Sequence, residues 1–447
     1  MGNKRKPAPG VKKPDATAYI ESLTHEGHGV ARIDGKAVFI DGALPGETVL
    51  YRSLSHSKNY DTGRMIEVVT ASPDRVTARC QYFGTCGGCS LQHLRAEAQL
   101  PAKQQVLHDN LQRIGKVQPA TWLPPLTGPH WGYRRKARLG AHLVKNKAVA
   151  IVGFREKRSA YLATLASCEV LHPRVSALLP ALSTLITGLS VPDRIPQVEV
   201  AVGDNACAFV IRHLEPLTAD DQARLIAFAR EHAVQVFRQP GGPDYIVPVW
   251  PENPEPLFYS LPEQGLELEF APGDFIQVNA ELNRAMVAQA LHLLDPQPDE
   301  NLLDLFCGLG NFTLPLARRA LRVVGIEAEE ALIAKAQRNA ERNNIKNTEF
   351  HLANLYKPEG ADPWGAQYYD KWLLDPPRTG ALEVIKRLPQ TGGPRRILYV
   401  SCNPGTLARD SEVLVHTKGY RLSAAGVMDM FPQTSHVEAM ALFERVN

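Results

Sequence analysis

The C-terminal part of the chain, from about residue 275 onward, alternates helix-like and strand-like patterns, and this alternation restricts the possible folds most. Apolar residues at helical spacing over 280–294 and 329–343 are separated by short buried-strand runs. Strands that alternate with helices in this way form a doubly wound parallel α/β sheet, so we predict a Rossmann-like domain. The predicted strands are 301–306, 322–326, 349–352, 371–374 and 396–400, followed by a final apolar strand at 439–443.

A glycine-containing turn follows the first predicted strand, in the run Asp304-Leu-Phe-Cys-Gly-Leu-Gly-Asn-Phe-Thr313. Glycines let a ligand approach the backbone, and the N-terminus of a following helix has free N–H groups. Glu327 ends the next strand, where a carboxylate can hold ribose hydroxyls. A dinucleotide site calls for a third glycine at the position of Thr313, so the motif favours S-adenosylmethionine over NAD.

Two further strand ends carry polar, proline-braced loops. Asp375-Pro-Pro-Arg378 follows one strand and Ser401-Cys402-Asn-Pro404 follows the next, and ligands bind at such strand ends. An Asp-Pro-Pro loop alone also suits amino-methyltransferases, which need no cysteine. A thiol beside it favours methylation of a pyrimidine carbon, because C5 of uracil becomes nucleophilic only after a thiolate adds to C6.

That chemistry also needs a base to remove the C5 proton. Glu438 directly precedes the predicted final strand, and His436 lies two residues earlier. The ordinary pKa of histidine is the better match to neutral pH. The residues alone leave both candidates open.

Four of the seven cysteines suggest a metal centre. Cys80, Cys86 and Cys89, with a glycine pair between the last two, are joined by the later Cys168. Four thiolates suit Zn²⁺ or an iron–sulfur cluster. The spacing lacks the paired Cys-x2-Cys knuckles of zinc ribbons, so we favour iron–sulfur.

The N-terminal half has a different character. Short β segments between residues 15 and 72 predict a small barrel of the OB type, although another small β domain fits the pattern too. An amphipathic helix is predicted over 94–114 and another over 218–232, in a region that otherwise reads as strands. The proline-rich stretch 248–256 is predicted to be a loop.

The charge and hydropathy of the chain indicate the broad class of protein to which it belongs. The net charge is only +3, but the basic tail 1–14 and the cluster Arg134, Arg135, Lys136 and Arg138 suggest an anionic partner. No run of eighteen apolar residues occurs and the tail lacks the apolar core of a signal peptide. We expect a cytoplasmic protein without a membrane segment.

With these residues in view, the chain resembles the RNA uracil-5-methyltransferase family, in particular its 23S ribosomal RNA branch with an N-terminal TRAM domain and a [4Fe-4S] cluster. Glu26-Gly-His-Gly-Val-Ala31 and Ala43-Leu-Pro-Gly-Glu47 are similar to the TRAM signature. Phe275-Ile-Gln-Val-Asn279 and the loops described above are similar to the catalytic motifs. The resemblance covers nearly the whole chain.

The resemblance implies a role for each candidate residue. Cys402 would be the nucleophile and Glu438 the base. Contacts with S-adenosylmethionine are implied for Gln277, Phe306, Asn311, Glu327, Asn354 and Asp375, and cluster ligation for Cys80, Cys86, Cys89 and Cys168.

The resemblance also implies the domain organisation. It comprises the basic tail 1–14, a TRAM β-barrel over 15–73, a central α+β iron–sulfur domain over 74–93 and 131–272, and a class I methyltransferase domain over 94–130 and 273–447.

The expected function is methylation of uracil C5 at a U1939-type uridine of 23S rRNA by a monomeric enzyme. A methyltransferase for transfer RNA or another ribosomal RNA uridine is the first alternative. A non-catalytic RNA-binding protein is the second, and the presence of Cys402, Asp375 and Glu438 together argues against it.

Overall fold

The computed structural model describes residues 15–242, 245–357, 367–389 and 392–446. The basic tail 1–14 lies outside the described residues. Within them, no helix has both the length and the apolar character needed to cross a membrane.

The N-terminal residues form a six-stranded sheet in the order β1-β5-β6-β4-β3-β2. Its core includes Ile20, Ile40 and Val49, which are fully buried. A Cβ at Gly63 would lie 2.5 Å from the Tyr51 ring, so this strand needs a glycine there. The strands are β1 (Ala16–Tyr19), β2 (Ser22–Leu23), β3 (Gly29–Ile33), β4 (Lys36–Asp41), β5 (Thr48–His56) and β6 (Tyr60–Thr70).

A second six-stranded sheet occupies the middle of the chain, in the order β13-β12-β11-β10-β8-β9. Three helices accompany it. The first two were not predicted from the sequence, because each is short and has a proline, although a helix tolerates proline in its first turn. The strands are β8 (Lys136–Val144), β9 (Val149–Gly153), β10 (Gln197–Val202), β11 (Cys207–Arg212), β12 (Gln235–Gln239) and β13 (Val247–Trp250), and the helices are α2 (Pro173–Ala177), α3 (Leu179–Thr187) and α4 (Ala219–Glu231).

The prediction of a loop over 248–256 is wrong at its start. Pro248 lies within β13 and pairs with Phe237 of β12. Since β13 is an edge strand, the missing N–H of a proline can be tolerated there.

The C-terminal sheet has eight strands in the order β18-β17-β16-β19-β20-β22-β21-β7. The first five run parallel, as predicted, but β22 is antiparallel to both β20 and β21. Leu302 packs into one buried cluster with α5, and Leu303 into another with α8 and α9. The strands are β16 (Asn301–Leu305), β17 (Arg322–Glu327), β18 (Thr348–Leu352), β19 (Lys371–Leu374), β20 (Arg396–Ser401), β21 (Tyr420–Met428) and β22 (Glu438–Arg445), and the helices are α5 (Ala280–Leu294), α6 (Thr313–Ala317), α7 (Glu330–Arg342), α8 (Leu382–Lys386) and α9 (Pro404–His416).

Two smaller pieces complete this region. The hairpin of β14 (Leu257–Leu261) and β15 (Leu266–Phe270) lies against α7. Helix α1 (Ala96–Asn110) lies against α9 and β21, and β7 (Thr121–Trp122) pairs in parallel with β21. The segment 94–130 is therefore packed on the C-terminal sheet.

A buried carboxylate fixes the loop that follows β19. Asp410 of α9 is fully buried, and its Oδ2 accepts hydrogen bonds from the Ala381 N–H at 2.7 Å and the Tyr399 hydroxyl at 2.8 Å. Its Oδ1 accepts from the Arg409 guanidinium at 2.7 Å. These bonds anchor the end of the loop that begins at Asp375.

We predict that Asp410→Ala destabilises the protein by roughly 1–3 kcal/mol, because the Tyr399 hydroxyl loses its acceptor and the Ala381 N–H keeps only its longer bond, at 3.1 Å, to the Tyr399 oxygen. Thermal unfolding of the full chain measures the effect. The control is Glu412→Ala on the same helix, whose side chain is 42% exposed and has a 3.8 Å ion pair with Lys116. Equal midpoints for the two variants would contradict the prediction.

Candidate active site and cysteine-lined cavity

The loop after β16 has the backbone of a ligand-binding turn. Phe306, Gly308 and Gly310 all have positive φ. The Phe306 and Cys307 N–H groups donate to the Ile326 carbonyl at 2.9 and 3.0 Å, which fixes the start of the turn. A Cβ added at Gly308 would meet no atom within 4 Å, so open space adjoins the turn.

Glu327, at the end of β17, is joined to this loop. Its Oε2 accepts from the Gly308 N–H at 3.1 Å, and its Oε1 accepts from the Ala328 N–H at 2.6 Å. The two predicted residue groups, the turn and the acidic strand end, are thus in direct contact.

The other candidate cofactor residues have distinct surroundings. Asn311 binds the protein itself: its Oδ1 accepts from the Tyr259 hydroxyl and the Asn283 amide, both at 3.0 Å. Asn354 is exposed beyond β18, and its Oδ1 caps the turn by accepting from the Tyr356 N–H at 3.0 Å. Gln277 is half-buried just before α5.

Asp304 is a residue of this site that the sequence analysis did not single out. It is fully buried in β16; its Oδ2 accepts from the Thr313 hydroxyl at 2.5 Å, and its Oδ1 has no partner among the described groups. Burial raises its pKa to about 7. An acid within an otherwise apolar strand was the available signal.

Cys402 and Glu438 meet through strand pairing. Ser401 of β20 is opposite Ala439 of β22, so the antiparallel register places Cys402 across from Glu438. Burial, followed by the Glu438 and Asp375 carboxylates, raises the pKa of the Cys402 thiol to about 11. Burial and Asp375 raise the pKa of Glu438 well above its usual range.

Asp375 is the third ionisable residue at this end of the sheet, beside Cys402 and Glu438. Its N–H donates to the Leu305 carbonyl at 3.3 Å, which places it beside the end of β16. Burial and repulsion from Asp304 raise its pKa to about 7. The structure therefore brings Cys402, Glu438 and Asp375 together at one end of the sheet.

His436, the alternative base, is engaged elsewhere. Its Nδ1 is 2.9 Å from the Arg378 guanidinium, whose N–H groups can only donate. Burial and the nearby positive charges of Arg378, Lys103 and Arg134 lower its pKa to about 4. A ring with so low a pKa is a weak base at neutral pH.

Lys103 of α1 is a second residue that the sequence analysis missed. Lys103 and Asp429 are each 2% exposed, and the ammonium is 2.6 Å from the carboxylate. Lys103 lies three residues from Leu100 and four from Leu107, on the apolar stripe of the predicted helix. A charge on that stripe was the available signal.

The four predicted metal-ligand cysteines line one cavity. Its wall contains Cys80, Cys86, Cys89 and Cys168, together with the apolar side chains of Tyr82, Phe83, Phe154, Leu165 and Val170. All four are free thiols. Burial raises the pKa of Cys89 to about 12. Among the described residues, no group of three or more His, Cys, Asp or Glu side chains is placed to hold a metal ion.

The predicted basic cluster is largely paired with acids. Arg135 contacts Asp204, and Lys136 and Arg138 both contact Glu199. These contacts reduce the positive charge that the cluster offers to an anionic partner. Three further basic side chains, Arg155, Lys157 and Arg158, line a cleft between the N-terminal sheet and the cysteine segment (residues 80–93), where Lys157 and Arg158 each lie 3.8 Å from Asp41.

Comparison with known proteins matches both ends of the chain. The profile described as tRNA (Uracil-5-)-methyltransferase matches residues 259–356 and 366–446, and the TRAM domain profile matches residues 16–50. The crystal structure of Pyrococcus abyssi tRNA (uracil-54, C5)-methyltransferase with S-adenosyl-L-homocysteine covers 96% of this chain and all of its own, at 24% identity and a TM-score of 0.74. The fold is therefore that of a class I methyltransferase with an N-terminal TRAM domain.

Curated relatives match over the whole length. The 23S rRNA (uracil(1939)-C(5))-methyltransferase RlmD of Methylococcus capsulatus is 53% identical over 445 residues, covering 100% of both chains. The protein of the same name from Thiobacillus denitrificans is 54% identical over 95% of this chain and 99% of its own. These comparisons confirm the resemblance: the chain belongs to the RNA uracil-5-methyltransferase family, in the RlmD group of TRAM-containing proteins.

Proposed function

We propose that this protein transfers a methyl group from S-adenosylmethionine to C5 of uridine 1939 of 23S rRNA, through a covalent adduct between Cys402 and C6 of the uracil. The observation that carries the chemistry is the β20–β22 register, which sets Cys402 across from Glu438. The substrate follows from full-length relatives that bear this activity in their names.

The cofactor is proposed to lie over the turn after β16. S-adenosylmethionine supplies the electrophilic methyl group when bound. Phe306, Asn311, Glu327 and Asp375 border this turn, and the left-handed Gly308 and Gly310 let a ligand approach the backbone. Gln277 and Asn354 are proposed as additional contacts.

The reaction at uracil uses Cys402 first. Its sulfur forms a bond to C6, and the thiol proton passes to the Asp375 carboxylate, which acts on the thiol, so that Glu438 stays free for the later step. The electron pair of the C5=C6 bond makes C5 the nucleophile, which would take the methyl group as its bond to the sulfonium breaks and S-adenosylhomocysteine is released.

Glu438 then resolves the adduct. Its carboxylate takes the C5 proton, the C5–H pair re-forms the double bond to C6, and the C6–S bond breaks with its electrons returning to Cys402. Two observations favour Glu438 over His436 for this step: the position across from Cys402, and the lowered pKa of the histidine.

The cysteine-lined cavity is proposed to hold a [4Fe-4S] cluster. Cys80, Cys86, Cys89 and Cys168 supply the four thiolates that such a cluster requires, and the apolar side chains in the wall, which also contains Gln92, Ser167 and Glu169, would limit the access of water.

The target base must leave its stack to reach Cys402. We propose that the TRAM domain and the cleft lined by Arg155, Lys157 and Arg158 contact the RNA backbone. Much of that binding energy would be electrostatic and would weaken steeply with salt.

We predict that Cys402→Ala abolishes methyl transfer from labelled S-adenosylmethionine to unmodified 23S rRNA, because C5 stays non-nucleophilic without the thiolate. The matched control is Cys207→Ala, which removes a thiol buried in the central sheet and should keep activity. Transfer to unmodified tRNA is measured in parallel. Label in tRNA instead would reassign the substrate, and activity of Cys402→Ala would refute the mechanism.

We predict that Glu438→Gln accumulates a covalent protein–RNA adduct, because the amide cannot accept the C5 proton and Cys402 cannot leave. A denaturing gel of enzyme incubated with RNA and S-adenosylmethionine detects the adduct. The control is Glu444→Gln, a substitution near the other end of β22. Full turnover by Glu438→Gln, with no adduct, would remove Glu438 from the role of base.

We predict that protein purified without oxygen is brown, with a broad visible absorption band and about four iron and four sulfide per chain. Cys89→Ala should lose both the colour and the iron, whereas Cys207→Ala should retain them. A colourless protein with stoichiometric zinc would show that the cavity holds a zinc site instead.

A further inference from the structure

The N-terminal sheet carries an aromatic pair, Phe39 and Tyr60, outside its hydrophobic core. The ring of Phe39 in β4 and the ring of Tyr60 at the start of β6 have centroids 5.3 Å apart and are inclined at 42°. Neither residue belongs to the cluster of buried side chains that forms the core of this sheet. Tyr60 is 45% exposed. Aromatic rings that a small domain leaves outside its core are typical of binding surfaces.

Strand alternation places the aromatic pair on the outer face of the sheet. In β4, Val38 and Ile40 are buried and Phe39 lies between them, so its side chain is on the opposite face. The register of β4 and β6 sets Phe39 beside Thr62, two residues after Tyr60. Both rings therefore belong to one face, and barrels of the OB type bind oligonucleotides on such a face.

The turn before β6 holds Tyr60 in place. The N–H and the hydroxyl of Ser57 both donate to the Tyr60 carbonyl, at 3.0 and 2.6 Å, and the Tyr60 N–H donates to the Ser57 hydroxyl at 3.2 Å. Three hydrogen bonds thus close the turn 57–60. An exposed ring on a fixed backbone loses little conformational freedom when a ligand binds to it.

The face that carries the aromatic pair continues into the basic cleft described above. The exposed Arg64 of β6 is beside Asp41 in the register of β4 and β6. Asp41 in turn lies 3.8 Å from both Lys157 and Arg158, which line the cleft. The outer face and the cleft therefore form one continuous surface.

The same domain also lies close to the catalytic residues. A Cβ at Gly27, just before β3, would lie 3.3 Å from the Cβ of Ser435, and Ser435 is three residues from Glu438. Strand β3 pairs with β4, which carries Phe39. An RNA bound at Cys402 consequently has the N-terminal sheet as a neighbour.

Charge alone gives this surface little attraction for RNA. The cleft has three basic side chains, but Glu26, Asp41 and Glu156 line it too. Phosphate binding there is partly cancelled by these acids. Stacking of a base on an aromatic ring does not depend on net charge, and any of the four bases can take part in it.

We propose that the aromatic pair Phe39–Tyr60 binds one unpaired base of the substrate RNA by stacking, at a site separate from the pocket that contains Cys402 and Glu438. The inference rests on the proposed function, in which a target base leaves its stack and exposes the faces of its neighbours. The exposed Arg64 is positioned to contact the phosphate of the stacked nucleotide.

The test compares ring loss with matched controls in the full chain. Phe39→Leu/Tyr60→Leu removes both rings but keeps apolar side chains, and Tyr60→Leu alone leaves Phe39 in place. Tyr60→Phe keeps the ring and removes only the hydroxyl. The control Tyr19→Leu removes another tyrosine of this sheet, which is 61% exposed and pairs with Thr48 at the start of β5, whereas Tyr60 lies beyond the other end of β5.

The measurement is fluorescence anisotropy of a dye-labelled, unmodified 23S rRNA fragment that contains the target uridine, at several salt concentrations. Stacking of one base changes affinity by a factor of roughly 5–150, so we expect the double variant to bind about tenfold more weakly or worse. Its salt dependence should stay that of the wild type, because stacking releases no counterions. Arg64→Gln should instead reduce the slope of log affinity against log salt by about one.

The conservative variant and the control fix the interpretation. Tyr60→Phe and Tyr19→Leu should bind the fragment as the wild type does, and all variants should keep its thermal midpoint. Methyl transfer by the double variant at saturating RNA should proceed at the wild-type rate, because the rings act in binding and not in the reaction.

The outcomes separate this inference from the proposed function. Wild-type affinity in both Tyr60→Leu and the double variant would overturn the stacking site. An equal loss in Tyr19→Leu or Tyr60→Phe would overturn it too. No methyl transfer by the wild type, with RNA binding that still depends on Tyr60, would overturn the proposed function and leave the aromatic pair as an RNA-binding site.

Discussion

The antiparallel insertion of β22 between β20 and β21 is the constraint on which the site depends. In a purely parallel sheet, only the carboxyl ends of strands meet at this edge. The antiparallel β22 has its amino end there instead. Glu438, the first residue of β22, therefore lies at the same edge as Cys402, the residue that follows β20. A nucleophile and a base from parts of the chain 36 residues apart become neighbours through backbone pairing alone.

The connection that leads into β22 also joins the two proposed centres. The Ser90 and Leu91 N–H groups, directly after Cys89, both donate to the Gln433 carbonyl at 3.0 Å. The Ser435 N–H donates to the Ser90 hydroxyl at 2.8 Å, and the Tyr133 hydroxyl donates to the Pro432 carbonyl at 2.9 Å. The cysteine segment thus helps to hold the chain that carries Glu438. A cluster bound to these cysteines would therefore also stabilise this part of the active site.

Much of this arrangement could be predicted from the sequence, because parallel strands place their polar ends at one edge. The glycine turn, Asp375, Cys402 and the start of a strand at Glu438 follow from local patterns. The choice between Glu438 and His436 does not, since it depends on strand register and on charges such as Arg378 that only the fold brings near. Lys103 was hidden for the same reason, and Pro248 was misplaced because an edge strand cannot be recognised without its partner.

The proposed mechanism depends on a covalent bond between the Cys402 sulfur and uracil C6, and trapping that bond tests it most directly. An RNA fragment with 5-fluorouridine at the target position has no C5 proton for Glu438 to remove, so the adduct of the wild-type protein should persist. Digestion and mass spectrometry then identify the modified peptide. We expect a methylated fluorouridine nucleotide on Cys402. A nucleotide on another residue, or no adduct despite turnover on normal RNA, would contradict the assignment of Cys402 as the nucleophile.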